Sequence, residues 1–598
     1  MRGTYQRKLA EIMKDEQQFE AFSSLDNTVV LAGPGSGKTT VLTMKIIKLL
    51  SENIKVPRGL ACLTYSNEAA KEFKKRLKVL GLEERNNVFL GTVHSFCIAE
   101  IITPFAHLYQ QYGIPLPLKI ISAQKKGTLF KQVKEELGIP DKQLSITEMD
   151  KERSLNIEGS SLINIPSYDL AKRAAIDYEK KLTLLKYVDF VSIINFATQL
   201  IQNESYILKC LESKFSWFLV DEYQDLGRPL HEMILSMLEK VSSSFFAVGD
   251  PDQSIYGFNG GVPDYLMELY NLPGIRQVKL QTNYRSNQGI IDASEIALNS
   301  KVSRNYIAGT RGGEIAQFNF QVCDMDMIDQ YYYVAEKIVP QNLSLGVSYS
   351  EIAVLVANNN QINALVEIFS EKGIPYYVAK HGFERTPVVN WLEDCVAWLI
   401  GKENISFDGL FKFWRDLLIK HNKMHFSDSQ TMIEKKKLHH ILIESLSNGE
   451  LLINWLNFVL QKLNFEELLR LSEIYPDELE NLNNLMKVVR EGKFLNATIN
   501  SFTQIGKPDN QITISTRHSS KGLEFETVVL LGMEEGSFPS YRSKTEREIM
   551  EEHRIFFVCV SRAKSRCYLV RSNFLNGYPK KASVFWTLLY KWYHEKFK

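Results

Sequence analysis

The run Ala32-Gly33-Pro34-Gly35-Ser36-Gly37-Lys38-Thr39-Thr40 has the make-up of a phosphate cradle, with Ala32 where such loops usually begin with glycine. Small residues let backbone N–H groups turn toward an anion, Lys38 supplies a point charge, and the Thr39 hydroxyl is suited to ligate Mg2+. A second chemistry-bearing group stands at Phe218-Leu219-Val220-Asp221-Glu222. Two carboxylates at the end of an apolar strand are costly unless a cation or a partner compensates them. Given the cradle upstream, Asp221 is suited to hold the metal through water, and Glu222 to orient or deprotonate an attacking water. Gln224 reads as a hydrogen-bonding relay beside them. These residue types imply chemistry on a nucleoside triphosphate.

Such groups need strand ends and helix starts to hold them. A β-branched and aliphatic strand from Thr28 to Leu31 leads into the glycine-rich turn, and an amphipathic helix from Thr39 to Leu50 leads out of it. Strand-like runs follow from Leu60 to Thr64, Trp217 to Val220 and Phe245 to Val248, with helical segments from Glu68 to Leu80 and Leu230 to Lys240. A later alternating set has strands from Val278 to Gln281, Ile352 to Val356, Ile512 to Thr516 and Thr527 to Leu531, with helices near Gln288 to Leu298 and Ile362 to Glu371. Alternation of this kind predicts two α/β lobes with parallel sheets. Two long stretches of helical periodicity, about 100–186 and 385–504, interrupt them as inserts. The polar segments from Gly138 to Ser167 and from Gly506 to Asn510 read as loop or hinge. No internal repeat or low-complexity tract is present.

The chain has 598 residues, 44% hydrophobic and 24% charged, with 33 Gly and 18 Pro. That excludes a disordered, collagen-like or low-complexity protein and leaves room for several cores. Lysine and arginine number 71 against 70 acidic residues, so any polyanion-binding surface must be local. The seven cysteines form no C-x-x-C pair and read as reduced core thiols, neither a zinc ribbon nor a disulfide framework. The amino terminus is polar, and no run approaches the ~18 apolar residues of a membrane span. The expectation is a cytoplasmic enzyme without a membrane partner.

Further motifs follow in a fixed order. Asp221-Glu222-Tyr223-Gln224-Asp225 resembles the second motif of superfamily 1 helicases of the UvrD/Rep type. Its companions are Gln17 in KDEQQ, TYSNEAAKEF from Thr64, GTVHSF from Gly91, GDPDQSIYGF from Gly249, TNYRS from Thr282, RHSSKGLEF from Arg517 and FFVCVSRAK from Phe556. The resemblance spans essentially the whole chain. It implies two RecA-like P-loop NTPase lobes, residues 1–99 with 187–275 and residues 276–384 with 505–598. The mainly helical inserts are then 100–186 and 385–504. The cofactors implied are ATP and Mg2+, and the partners are single-stranded DNA and single-strand/duplex junctions.

By the same resemblance Gln17 reads adenine, Tyr284 stacks on it, and Glu524 with Gly522 meets the ribose. Gln253 links the γ-phosphate to the DNA track, and Arg285 and Arg562 reach that phosphate from the second lobe. Charge delivered in this way is worth ~10³ to 10⁵ in rate. The DNA set is Thr64, Tyr65, Asn67, Thr92, His94, Tyr256, Phe258, Thr516 and His518, with Tyr65, Tyr256 and Phe258 as base-stacking platforms. The Lys521 form of the RHSSKGLEF motif is similar to that of 3′-to-5′ members.

Several positions depart from the family pattern. Thr40 replaces an arginine that packs on the base, Phe258 a tryptophan, and Asn259 an arginine; Glu68 replaces a lysine, and Leu226-Gly227 a Thr-Asn pair. The second insert is short for the family. Two readings therefore stay open: an ATP-dependent DNA translocase or helicase acting in repair, replication or phage defence, and a DNA-sensing ATPase subunit that regulates a partner such as a nuclease. A metabolic P-loop kinase or GTPase is disfavoured by the two arginines and the two inserts.

Overall fold

The computed structural model describes residues 2–64, 67–82, 85, 87–155, 167–257, 260–378, 383, 385–402, 405–422, 426–470, 478–491, 494–503 and 509–597. Two six-stranded parallel sheets organise the chain. Strands β1 (Thr28–Ala32), β2 (Gly59–Thr64), β3 (Val88–Thr92), β4 (Phe215–Val220), β5 (Ser244–Gly249) and β6 (Arg276–Leu280) form the first, in the order β3-β2-β4-β5-β1-β6. Two short strands, β7 (Thr282–Asn283) and β8 (Ile307–Ala308), pair with each other in the connection that follows. Strands β9 (Gln317–Cys323), β10 (Ile352–Val356), β11 (Tyr376–Val378), β12 (Ile512–Thr516), β13 (Phe525–Leu530) and β14 (Ala563–Ser572) form the second sheet, in the order β11-β12-β10-β13-β14-β9. These are two RecA-like α/β lobes. Among the described residues no helix is long and apolar enough to cross a membrane.

Helices cover both faces of each sheet, so the central strands are apolar on both sides. In the first sheet Val30, Leu60, Leu219 and Phe246 pack into one core, and the alternate residues Val29, Ala61, Phe218 and Ala247 into another. The latter core runs on into the first helical stretch through Ala171 and Tyr178, and into the helix Phe190–Asn203 through Ile193 and Leu200. The second helical stretch has its own core, built on Trp391, Trp414, Trp455 and Phe465.

Three sequence expectations change. The run from Val278 to Gln281 does not open the second lobe: β6 lies along β1, with Thr28 opposite Arg276, because Val278 and Leu280 fill the core that holds Val30 and Val248. Strands β3, β9, β11 and β14 are additional to those expected. The stretch from Gly138 to Ser167 is not all loop. Its helix Ile146–Ser154 starts at a capping box, Ser145 with Glu148, a pattern local sequence specifies. Residues 156–166 of that stretch, and 506–508 of the segment from Gly506 to Asn510, lie outside the described residues.

That helix carries Arg153, whose side chain is 0% exposed. Its guanidinium donates to Asp150 Oδ1 (2.7 Å), Glu179 Oε1 (2.6 and 2.8 Å) and both oxygens of Asp189 (2.7 Å each). Asp189 in turn caps the helix Phe190–Asn203. Burial alone would raise the Asp189 carboxyl, but Arg153 and Lys126 hold it well below the usual carboxylate range. A folded-state acid held low contributes stability above its unfolded pKa, and that contribution fades as pH falls. Arg153→Met should therefore cost about 3–5 kcal/mol at pH 7, because it leaves buried carboxylates without their cation. The deficit should shrink at pH 4–5 as those carboxyls take up protons. Urea unfolding at both pH values checks this, and a variant as stable as wild type at pH 7 would refute the role of the network.

Candidate functional site

The glycine-rich turn joins β1 to the helix Lys38–Lys48. Gly35 and Gly37 adopt φ of 68° and 83°, so the turn needs residues that tolerate left-handed backbone. Side chains crowd it from several directions. A Cβ at Gly33 would lie 2.5 Å from the Tyr306 ring, one at Gly35 2.4 Å from Asn283 Oδ1, and one at Gly37 2.8 Å from Gln18 Nε2. Ser36 is tied back to Gly33 O by its hydroxyl at 2.8 Å. Lys38 Nζ is buried, has no hydrogen-bond partner among the described residues, and lies 3.8 Å from Glu222 Oε1. An orphaned ammonium above a glycine cradle fits a phosphate.

Asp221 and Glu222 stand at the end of β4, Glu222 at φ 53°. Burial, then the neighbouring Glu222, push the Asp221 carboxyl up to about 7. Burial works the same way on Glu222, yet Lys38 and Lys521 hold it below the usual carboxylate range. A buried carboxylate that lacks enough positive charge suits a divalent cation, so Asp221, with Thr39 at the helix start, fits Mg2+. Gln224 is fully buried and relays, as its position suggested. Its amide donates to Glu222 Oε2, and its Oε1 accepts from Asp250 N at 3.0 Å.

The second lobe supplies cations. Arg562, 1% exposed, donates to Gln253 Oε1 (3.2 Å), Val558 O (3.0 Å) and Leu523 O (3.2 Å). Burial and the nearby Arg285 lower its pKa to about 9. Arg285 Nε donates to Glu524 Oε2 at 2.8 Å and its Nη1 to Ser561 O at 3.2 Å. Gly522, at φ 85°, turns the chain between Lys521 and Glu524. Lys521, which the residue-by-residue reading did not place in the site, reaches Asp225 Oδ2 (2.5 Å) and Gln253 O (2.8 Å) and lies 3.9 Å from Glu222 Oε2.

The amino-terminal helix and its capping residue reach both the connection between the sheets and the glycine-rich turn. Asp15 Oδ1 caps the helix Glu16–Ser23 by accepting from Gln18 N at 3.0 Å, and its Oδ2 accepts from Tyr284 OH at 2.7 Å. Tyr284 N donates to Gly35 O at 2.9 Å, which seats the ring beside the loop. The amide that touches the loop belongs to Gln18, which donates to Ser36 O at 2.9 Å. The expected Gln17 instead exchanges two hydrogen bonds with Gln281.

The candidate nucleic-acid residues fall at carboxyl ends of strands. Thr64 ends β2 and pairs in register with Thr92 at the end of β3. Asn67 opens the helix Asn67–Val79, and Thr92 caps the short helix bearing His94. Burial lowers His94 to about 4. Phe190, 56% exposed, meets the His94 ring edge-on at 5.2 Å, an exposed aromatic beside the candidate set that the sequence reading missed. Its only local signal is an aromatic directly after a capping aspartate. Thr516 ends β12, and its hydroxyl accepts from Ser519 N at 3.2 Å; burial also lowers His518. Tyr256 lies under Lys521 Nζ at 5.1 Å. Tyr65, Phe258 and Asn259 lie outside the described residues, and Thr40 contributes its carbonyl to the Thr43 hydroxyl at 2.9 Å.

A phosphate cradle in one parallel-sheet lobe, faced by arginines from another, defines a two-lobed P-loop nucleoside triphosphatase. Residues 13–273 match the UvrD/REP helicase N-terminal domain, and residues 278–391 and 425–573 match the UvrD-like helicase C-terminal domain. The chain belongs to the UvrD/Rep helicase family, whose enzyme class is ATP-dependent DNA helicase. It is 26% identical to the ATP-dependent DNA helicase PcrA of Staphylococcus epidermidis, over 94% of this chain and 84% of that protein. It is 26% identical to a probable DNA helicase II homolog of Rickettsia conorii, over 94% and 92%. With PcrA of Staphylococcus aureus it shares 25% identity over 94% and 84%.

The neighbouring glutamines can be told apart by their effect on nucleotide binding, since only Gln18 braces the loop, at Ser36 O. Gln18→Ala should raise the KM for ATP ~10-fold or more, as expected when a buried polar contact is lost, and Gln17→Ala should have the smaller effect. Steady-state kinetics of both variants check the order. A reversed order would place the larger nucleotide contribution at Gln17, the residue expected to read adenine.

Proposed function

We propose that this chain is an ATP-driven DNA translocase and helicase that moves 3′ to 5′ on single-stranded DNA. The observation that supports it most is a continuous hydrogen-bonded chain from the carboxylates to the second lobe: Glu222, Gln224, Asp250, Gln253, Arg562. ATP binds on the turn from Ala32 to Thr40, with Lys38 on the terminal phosphates and Thr39 and Asp221 holding Mg2+. Mg2+ held by Thr39 and Asp221 would supply positive charge to the phosphate oxygens. Glu222, kept ionised by Lys38 and Lys521, accepts the proton of the attacking water. Arg562 and Arg285 stabilise charge on the transferred phosphoryl group. Arg285 leaves Glu524 to do so, which frees that carboxylate for the ribose hydroxyls. Hydrolysis therefore depends on closure between the lobes.

Single-stranded DNA runs over the strand ends at Thr64, Thr92 and Thr516, with backbone contacts from His94 and His518 and stacking on Tyr65, Phe190, Tyr256 and Phe258. Strand displacement at single-strand/duplex junctions follows from stepping of the lobes. The insert boundaries near residues 100–186 and 385–504 are part of this reading, as is a cytoplasmic setting, in keeping with seven unpaired cysteines.

The test is steady-state ATP hydrolysis with and without single-stranded DNA. We expect stimulation that falls steeply with salt. Lys38→Ala and Glu222→Gln should each lower the stimulated rate ~10²-fold or more. Partial duplexes with a 3′ or a 5′ tail then read the direction. Hydrolysis indifferent to DNA would refute the motor. DNA-stimulated hydrolysis that displaces no strand would favour a sensor subunit, and displacement only from 5′ tails would reverse the polarity.

A further inference from the structure

The loop from Ser303 to Tyr306 follows the helix Gln288–Ala297 and belongs to none of the motifs quoted above. Three donors in it converge on one carboxylate. Ser303 Oγ (2.9 Å) and Arg304 N (3.2 Å) donate to Glu295 Oε2, and Tyr306 N donates to Glu295 Oε1 at 3.1 Å. Asn305 takes the left-handed turn, at φ 55°. The loop is thereby held in one shape, with the Arg304 and Tyr306 side chains directed at the other lobe.

Arg304 grips Asp252 with two prongs, Nε to Oδ2 at 2.6 Å and Nη2 to Oδ1 at 2.9 Å. The Asp252 side chain is 10% exposed, so this pair is largely withdrawn from water, where charge-assisted bidentate bonds hold geometry well. Tyr306 is buried, and its ring tip abuts the Gly33 backbone. From Asp252 the contact leads directly to the phosphate end of the cleft. Asp252 N donates to Asp250 Oδ1 at 3.0 Å, and Gln253 Nε2 donates to Asp250 Oδ2 at 2.7 Å. The remaining Gln253 oxygen accepts from Arg562.

We propose that Arg304 is a positioning residue for ATP hydrolysis. By clamping Asp252 from the second lobe it sets the carboxamide of Gln253, while Tyr306 on the same loop braces the phosphate cradle at Gly33. One rigid loop of the second lobe thus registers two elements of the first, the turn after β1 and the turn after β5. The inference rests on the nucleotide site proposed above. Lysine could replace the charge at Arg304 but not the fork, because an ammonium is a point donor.

The experiment uses the full chain with saturating single-stranded DNA and compares wild type, Arg304→Gln, Arg304→Lys, Asp252→Asn and the double variant Arg304→Gln/Asp252→Asn. Thermal melting reports on the fold, and KM is separated from kcat. A misplaced group near the chemistry can cost ~10- to 100-fold in rate, and that loss is expected in kcat for Arg304→Gln and Asp252→Asn, with KM for ATP changed less than about threefold. Arg304→Lys should fall between them and wild type. The double variant should be no worse than either single one, because both remove the same contact. A folded Arg304→Gln protein with wild-type kcat, a change confined to KM, or losses that multiply in the double variant would overturn the proposal. Wild-type protein that hydrolyses no ATP would instead overturn the nucleotide-site reading, and this one with it.

Discussion

Buried charge between the two sheets exceeds what either lobe can neutralise alone. The first lobe contributes Asp221, Asp225, Asp250 and Asp252, all buried, with Glu222 beside them. The second contributes Arg285, Arg304, Lys521 and Arg562. An unpaired ion withdrawn from water costs several kcal/mol, so these groups must find each other across the cleft. The pairs Arg304–Asp252 and Lys521–Asp225 are the result. Yet the balance stays incomplete at Lys38, whose ammonium has no hydrogen-bond partner among the described residues. A triphosphate with its metal would complete it, adding anion near Lys38 and Arg285 and cation near Asp221. Ligand binding and lobe closure are then two parts of one electrostatic problem.

That constraint explains which residues sequence could reveal. Lys38, Thr39, Asp221 and Glu222 are legible because their chemistry is local: the turn, the helix start and the strand end all lie within a few residues of the reacting group. Both parallel sheets are legible as well, from apolar runs alternating with amphipathic helices. What sequence could not resolve depends on partners far along the chain. Gln17 and Gln18 are equivalent in composition, and a rotation of ~100° per helical residue lets only one of them face the loop. The β6 strand has an apolar pattern that suits either sheet, and pairing with Thr28 across most of the first lobe decides it. Arg304 reads as one more surface arginine until the fold brings Asp252 to it. Arg153 sits in a stretch read as polar loop although its capping box was visible, because local composition says nothing about Glu179 and Asp189 arriving from other elements to join Asp150 on its own helix.

The two helical stretches show different relations to the lobes. The first shares its core with the sheet, and its Arg153 network fixes the capping Asp189 that precedes Phe190. Structural charge is used there to hold an exposed aromatic beside His94. The second packs around its own tryptophans and phenylalanines. Its separate core leaves it less tightly bound to the cleft than the first stretch is.

The segment Asp250–Gly257 follows β5 of the first sheet but is held largely by the second lobe. Ile255 is fully buried in the core that contains Ile290, Phe556 and Leu569. Arg554 donates to Ser254 O at 2.7 Å, and Gly257 N donates to Glu551 at 3.0 Å. Its amino end, through Asp250 and Gln224, remains tied to the catalytic carboxylates. A short segment anchored at one end in each lobe cannot keep both sets of contacts when the lobes move apart, since packed cores and bidentate pairs hold in discrete arrangements and do not stretch. Tyr256 lies within that segment, so a change at the phosphate end of the cleft must reach its ring through the same few residues.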